Sequence, residues 1–124
     1  MFMTMFCGIL DLASDDLVYC DCGHNPPVLI RPDGMLNELK GNGPPLGVMP
    51  GITYLTQTLR IEPGDRLFLN TDGVTEATAA GEILFGEDRL HVVLRALGKI
   101  PARAMVECVV GAVDRFRCRS PTIR

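Results

Sequence analysis

The chain has 124 residues, 47% of them hydrophobic and 22% charged, the profile of an ordinary soluble globular protein of one domain. A net charge of -3 without a clustered Lys/Arg stripe gives no reason to expect nucleic acid as a partner. The apolar start, Met1 to Leu10, lacks a basic flank, is closed by Asp11 and is too short to span a bilayer, so neither a signal peptide nor a membrane anchor is supported.

Residues 2–10 form a nearly continuous apolar run, the pattern of a fully buried strand. Asp11 to Asp16 is a polar turn, and Leu17 to Cys22 then alternates. Val18, Cys20 and Cys22 share one side, and Leu17, Tyr19 and Asp21 the other, so the two strands are expected to form a hairpin. Gly23-His24-Asn25-Pro26-Pro27 ends the second strand, because two prolines cannot donate to a ladder. Val28-Leu29-Ile30, the turn Arg31-Pro32-Asp33-Gly34 and Met35 to Leu39 read as a strand, a tight turn and a return strand.

Gly41 to Gly51, with four glycines and three prolines, is a loop, expected to plug onto the core through Leu46. No Gly-Lys-Ser/Thr follows it, which excludes a phosphate-cradle reading. Leu55, Leu59 and Ile61 fall on one face of a further strand. Pro63-Gly64-Asp65 then introduces the apolar run Leu67-Phe68-Leu69. After Ala77 the period changes. Leu90, Val93, Leu94 and Leu97 mark an amphipathic helix from about Glu87 to Leu97, ended by Gly98. Pro101 opens a second helix with the stripe Met105, Val109, Ala112 and Phe116, widened by Val106 and Val113. Strands followed by two helices argue an α+β fold with the helices on one sheet face.

Five cysteines are an odd number, best read as reduced thiols of a cytoplasmic protein. Cys20, Cys22 and His24, alternating on one strand, would be the basis of a zinc reading. Buried hydrophobes are the plainer account, since no Cys-x-x-Cys pair exists. His24 could serve as a general acid or base, or simply tie its turn to nearby carbonyls.

The run to Asn70 stops at Thr71-Asp72-Gly73, which places Asp72 at the end of a stiff strand. A fixed carboxylate there suits a hard divalent cation. Gly73 is expected to use backbone angles closed to other residues, and a plain Asp-Gly turn between two strands is the alternative.

Taken together and in order, six stretches resemble one family: Phe2 to Asp11, Gly23-His24-Asn25-Pro26-Pro27, Pro45-Leu46-Gly47, Pro63 to Leu67, Thr71-Asp72-Gly73-Val74-Thr75-Glu76-Ala77 and Leu84 to Leu90. They are similar to the later part of a SpoIIE/RsbU-type serine phosphatase domain, the bacterial branch of the metal-dependent type 2C protein phosphatases. The resemblance implies that residues 1–124 are a single domain, the later portion of a partial α-β-β-α sandwich. Its implied activity is hydrolysis of phosphoserine or phosphothreonine on a small regulatory protein, often a STAS-type anti-sigma-factor antagonist. Its implied cofactors are Mn²⁺ or Mg²⁺, two of which would share and activate a water. Asp72 matches the family's metal-binding Asp; Gly73, Glu76, His24 and Asn25 are possible supporting residues.

The family's other metal carboxylates come from a segment before Met1 and from an Asp-Asp motif that Arg117 to Arg124 does not contain, and Asp114 inside the last helix is a poor substitute. One Asp cannot hold two hard cations, so the chain alone is expected to show little phosphatase activity. The competing reading is a non-catalytic pseudophosphatase or partner-binding module. A domain short of its first segment and last strand is also expected to dimerise through exposed sheet edges. Glu87, at a helix start, reads as dipole compensation.

Overall fold

A computed structural model describes residues 2–41 and 43–118; most of the terminal stretch searched for an Asp-Asp motif, residues 119–124, lies outside them. Two three-stranded antiparallel sheets and one helical layer stack in the order sheet, sheet, helices. The first sheet contains β1 (Met5–Asp11), β2 (Asp16–Cys22) and β5 (Gln57–Arg60), ordered β1-β2-β5. The second contains β3 (Val28–Ile30), β4 (Leu36–Glu38) and β6 (Arg66–Phe68), ordered β4-β3-β6. One helical turn, α1 (Asp72–Thr75), and a short hairpin, β7 (Thr78–Ala79) and β8 (Ile83–Leu84), lead to α2 (Gly86–Arg95) and α3 (Ala102–Arg117).

The three residues of β3 explain the layering. Val28, Leu29 and Ile30 are all buried, which a period-2 strand permits only when both its faces are covered. Leu29 joins Leu17, Tyr19 and Leu39 between the sheets, with Phe6, Leu59, Ile61 and Leu67 packed around them. Val28 and Ile30 face the other way, into a larger core with Phe68, Leu90, Leu94, Met105, Val109, Val113 and Phe116. The helical stripes foreseen from periodicity therefore do cover one sheet face; α2 begins and ends within two residues of its expected bounds, and α3 begins directly after Pro101. Among the described residues no helix is long and apolar enough to cross a membrane.

Several expectations are corrected. The first strand is not buried: β1 is the edge of the outer sheet, and Ile9 is 72% exposed. Only its inward residues find a partner, as where Phe6 stacks on Tyr19 at 5.5 Å. Leu46 is fixed by backbone pairing with Met3 (2.9 and 2.7 Å) and joins neither core. Leu55 precedes β5 and is exposed, as is Val106 on the outer flank of α3. The hairpin β7–β8 was not anticipated, because two-residue strands fall below the length at which alternation can be read.

At the end of the second sheet formed by Ile30 and Arg66, Arg31 donates to the Asp65 Oδ2, which also accepts from the Glu62 amide at 2.8 Å. The Asp65 side chain is fully buried, whereas that of Arg31 is 24% exposed. Removing the guanidinium strands a buried carboxylate, a loss reduced here by the partial exposure of Arg31. Arg31→Ala is expected to lower unfolding free energy by about 2–4 kcal/mol. Urea denaturation followed by circular dichroism measures it; an unshifted midpoint would show that the pair contributes nothing.

Candidate functional site

Strand pairing brings together two segments far apart in the sequence. Val28 at the start of β3 lies opposite Phe68 at the end of β6. The loop entering β3, Gly23 to Pro27, and the segment leaving β6, Leu69 to Asp72, therefore emerge at one end of the middle sheet. There the Asn25 Nδ2 donates to the Asp72 Oδ1 at 3.0 Å, across 47 positions of sequence.

Asp72 is not at a strand end, nor in a turn between two strands. It is the first residue of α1, whose N-cap Thr71 accepts the Gly73 amide through Oγ1 at 3.3 Å. A threonine followed by an acidic residue is a helix-start signal, and it overrides the Asp-Gly turn preference here. Gly73 accordingly uses ordinary helical backbone rather than positive φ, contrary to expectation; its missing side chain leaves room beside Thr71 Oγ1. Glu76 closes the turn, its amide donating to the Asp72 carbonyl at 2.8 Å.

Asp72, Gly73, Glu76, Ala77, Thr78 and Arg117 line one open cleft of about 480 Å³. Two carboxylates and one guanidinium thus share a solvent-facing concavity. Arg117, in the last turn of α3, was missed by the sequence reading, since a basic residue near a helix C-terminus is usually only dipole compensation.

His24 stands beside this cleft rather than in it, in a separate apolar hollow with Asn70, Thr71, Val74, Val106 and Val110. Its Nδ1 lies 2.7 Å from the Asn25 carbonyl, and a proton on that nitrogen donates there, which ties the loop to itself. Gly23, at φ +80, breaks the β2 alternation, so His24 does not continue the Cys20–Cys22 face as the zinc reading required.

Asp21 holds the loop from below. It is the buried polar residue of β2, and its Oδ1 accepts the His24 amide at 2.8 Å. Gly41 packs so closely on it that a Cβ there would stand 2.1 Å from the Asp21 Cβ. Sequence alternation put Asp21 on one side of the strand with Leu17 and Tyr19 without disclosing this role, because its acceptor position depends on how the next three residues turn. Asp21→Ala is expected to cost about 1–3 kcal/mol by leaving the His24 amide unpaired. Amide hydrogen exchange at His24 would then accelerate; protection equal to the parent chain's would rule out the anchor.

Comparison with known proteins sets this chain in a family. The model of the family described as stage II sporulation protein E (SpoIIE) matches residues 1–122. Protein IcfG of Synechocystis is 38% identical over 96 residues, covering 77% of this chain and 15% of that protein. Phosphoserine phosphatase RsbU of Bacillus subtilis is 31% identical over 77 residues, covering 61% of this chain and 23% of that protein. The phosphatase domain of SpoIIE from Bacillus subtilis, Mn presoaked, superposes with a TM-score of 0.71 at 17% identity, over 94% of this chain and 50% of that one. The chain thus spans under a quarter of these two sequence relatives and half of the solved domain, and its α+β layers are those of the type 2C phosphatase fold. With the family model matched over nearly its whole length, the chain belongs to the SpoIIE family.

Proposed function

We propose that the chain carries the later part of a metal-dependent protein serine/threonine phosphatase domain. Its substrate would be a phosphorylated STAS-type regulatory protein in cytoplasmic bacterial signalling. The observation that carries this reading is the meeting of Asn25, from the Gly-His-Asn-Pro-Pro loop, with Asp72, from the Asp-Gly motif. These are two of the stretches on which the family resemblance rests. The phosphoserine phosphatase RsbU and the manganese-soaked SpoIIE domain support serine phosphate chemistry and a manganese or magnesium cofactor.

Such cations each take about six oxygen donors, several of them charged. The cleft offers Asp72 and Glu76, and among the described residues no group of three or more His, Cys, Asp or Glu stands close enough to hold a metal ion. These residues alone do not fit a two-metal centre, so no catalytic step is assigned to the metals. What the chain supplies is preorganisation: the Asn25 amide fixes one Asp72 oxygen, and Arg117 presents donors suited to phosphate oxygens.

The short donor set also favours a second reading, a pseudophosphatase or partner-binding module that holds a phosphorylated protein without turnover. Manganese-dependent hydrolysis of an aryl phosphate, in the parent chain and in Asp72→Asn, separates the possibilities. Negligible turnover in both is expected of the chain alone. Turnover that Asp72→Asn abolishes would show that further residues complete a metal centre. Retention of a phosphorylated STAS-type protein, lost in Arg117→Ala and indifferent to manganese, would favour the binding module.

A homodimer is the partner this reading adds, supported by the edge position of β1. Among the described residues that strand is paired by β2 on one side only, and it exposes Met5 and Ile9. Light scattering is expected to report a dimer or larger species at high concentration; a clean monomer would remove the homodimer.

A further inference from the structure

The outer face of the first sheet carries three thiols. Cys7 of β1 and Cys20 of β2 are direct cross-strand partners, so their side chains leave the sheet on the same face. Cys22 follows two residues later on that face, with its Sγ 3.8 Å from that of Cys20. Cys7 is exposed, Cys20 half-buried and Cys22 buried, a gradient from solvent inward. Burial chiefly, then the hydrogen bond and charge of Cys20 and the charges of Asp21 and Cys7, hold the Cys22 thiol above its ordinary value. The phosphatase reading uses none of the three.

We propose that Cys7 and Cys20 form an oxidation site at which a hydroperoxide installs a cross-strand disulfide between β1 and β2. Directly opposed residues of an antiparallel pair have Cα atoms about 4.5–5.5 Å apart, within the roughly 4.4–6.8 Å that a disulfide spans. Cys20 and Cys22, two residues apart on one extended strand, sit near the upper limit at about 6.6 Å. Their sulfurs are close, but their Cα separation lies at the long end of that range. Exposure makes Cys7 the sulfur that meets the oxidant first, and burial keeps Cys22 a protonated, slow nucleophile.

The chemistry balances in two steps. The Cys7 thiolate attacks one peroxide oxygen; an S–O bond forms, the O–O bond breaks, and hydroxide leaves to become water. The Cys20 thiolate then attacks the sulfenic sulfur; the S–S bond forms, the S–O bond breaks, and hydroxide leaves and takes up the proton that the Cys20 thiol released, as a second water. The two thiols lose two electrons and the peroxide gains them. A reducing compartment would reverse the bond through a dithiol reductant, which makes the site transient rather than structural.

The test uses the full chain with Cys108→Ser and Cys118→Ser, which removes two exposed thiols that would otherwise join molecules. After hydrogen peroxide treatment, intact mass is expected to fall by two hydrogens and to recover with dithiothreitol. Cleavage before Asp11, Asp16 and Asp21 places Cys7, Cys20 and Cys22 on separate peptides, so the linked pair can be read directly. Cys7 and Cys20 should be joined, and Cys7→Ser, a change at an exposed position, should abolish the mass loss. An unchanged mass, oxygen addition without linkage, bonds only between molecules, or a bond between any other pair would overturn the proposal.

Discussion

Complete burial of one three-residue strand on both faces is the constraint on which the rest of the structure depends. Because Val28, Leu29 and Ile30 point alternately into two cores, β3 must lie in the middle layer, with a sheet on one side and helices on the other. A central strand so placed also fixes where its two ends emerge. Its pairing with β6 carries the Gly-His-Asn loop and the Thr71-Asp72 turn to one end, and Arg31 and Asp65 to the other. The two ends then differ in character. At one, the buried Asp65 carboxylate is paired with the partly exposed Arg31 guanidinium. At the other, Asp72, Glu76 and Arg117 line one open cleft, with no ion pair between them among the described residues.

The architecture that holds the cleft uses small, local devices. Thr71 caps the turn that presents Asp72, Asn25 sets one carboxylate oxygen, and Asp21 sets the loop that carries Asn25. Each is one hydrogen bond, worth about 1 kcal/mol on its own. Their combined effect is geometric, because they act in series between the buried Asp21 of β2 and the solvent-facing carboxylate.

Much of this was legible in the sequence where a residue's behaviour is set locally. Pro26-Pro27 and Pro32-Asp33-Gly34 bracket β3 because proline and glycine restrict the backbone regardless of tertiary context. The stripes of α2 and α3 were legible because a helix repeats its burial pattern over several turns. Asp72 was singled out through its motif, yet its local structure was misread, since Thr71-Asp72-Gly73 was weighed as the stop of a strand rather than as a cap and the start of a helical turn. The exposure of β1 was not legible, because an apolar run reports what a face is able to bury, not what covers it. Asp21 and Arg117 were missed because only the folded chain sets Asp21 under the His24 amide and Arg117 beside the cleft of Asp72.

The brevity of α1 sets the character of the site. A single helical turn with no buried residue forms few intrahelical bonds, and isolated helices this short do not persist in water. Its order is borrowed from Thr71, from Asn25, from Val74 against the larger core and from its packing near α2, so opening it would cost less than unfolding that core. A ligand that engages Asp72 would therefore select the closed turn from a breathing population. Its apparent affinity would carry the equilibrium of that turn as a factor, and occupancy, in return, would be read as slowed opening of residues 71–76.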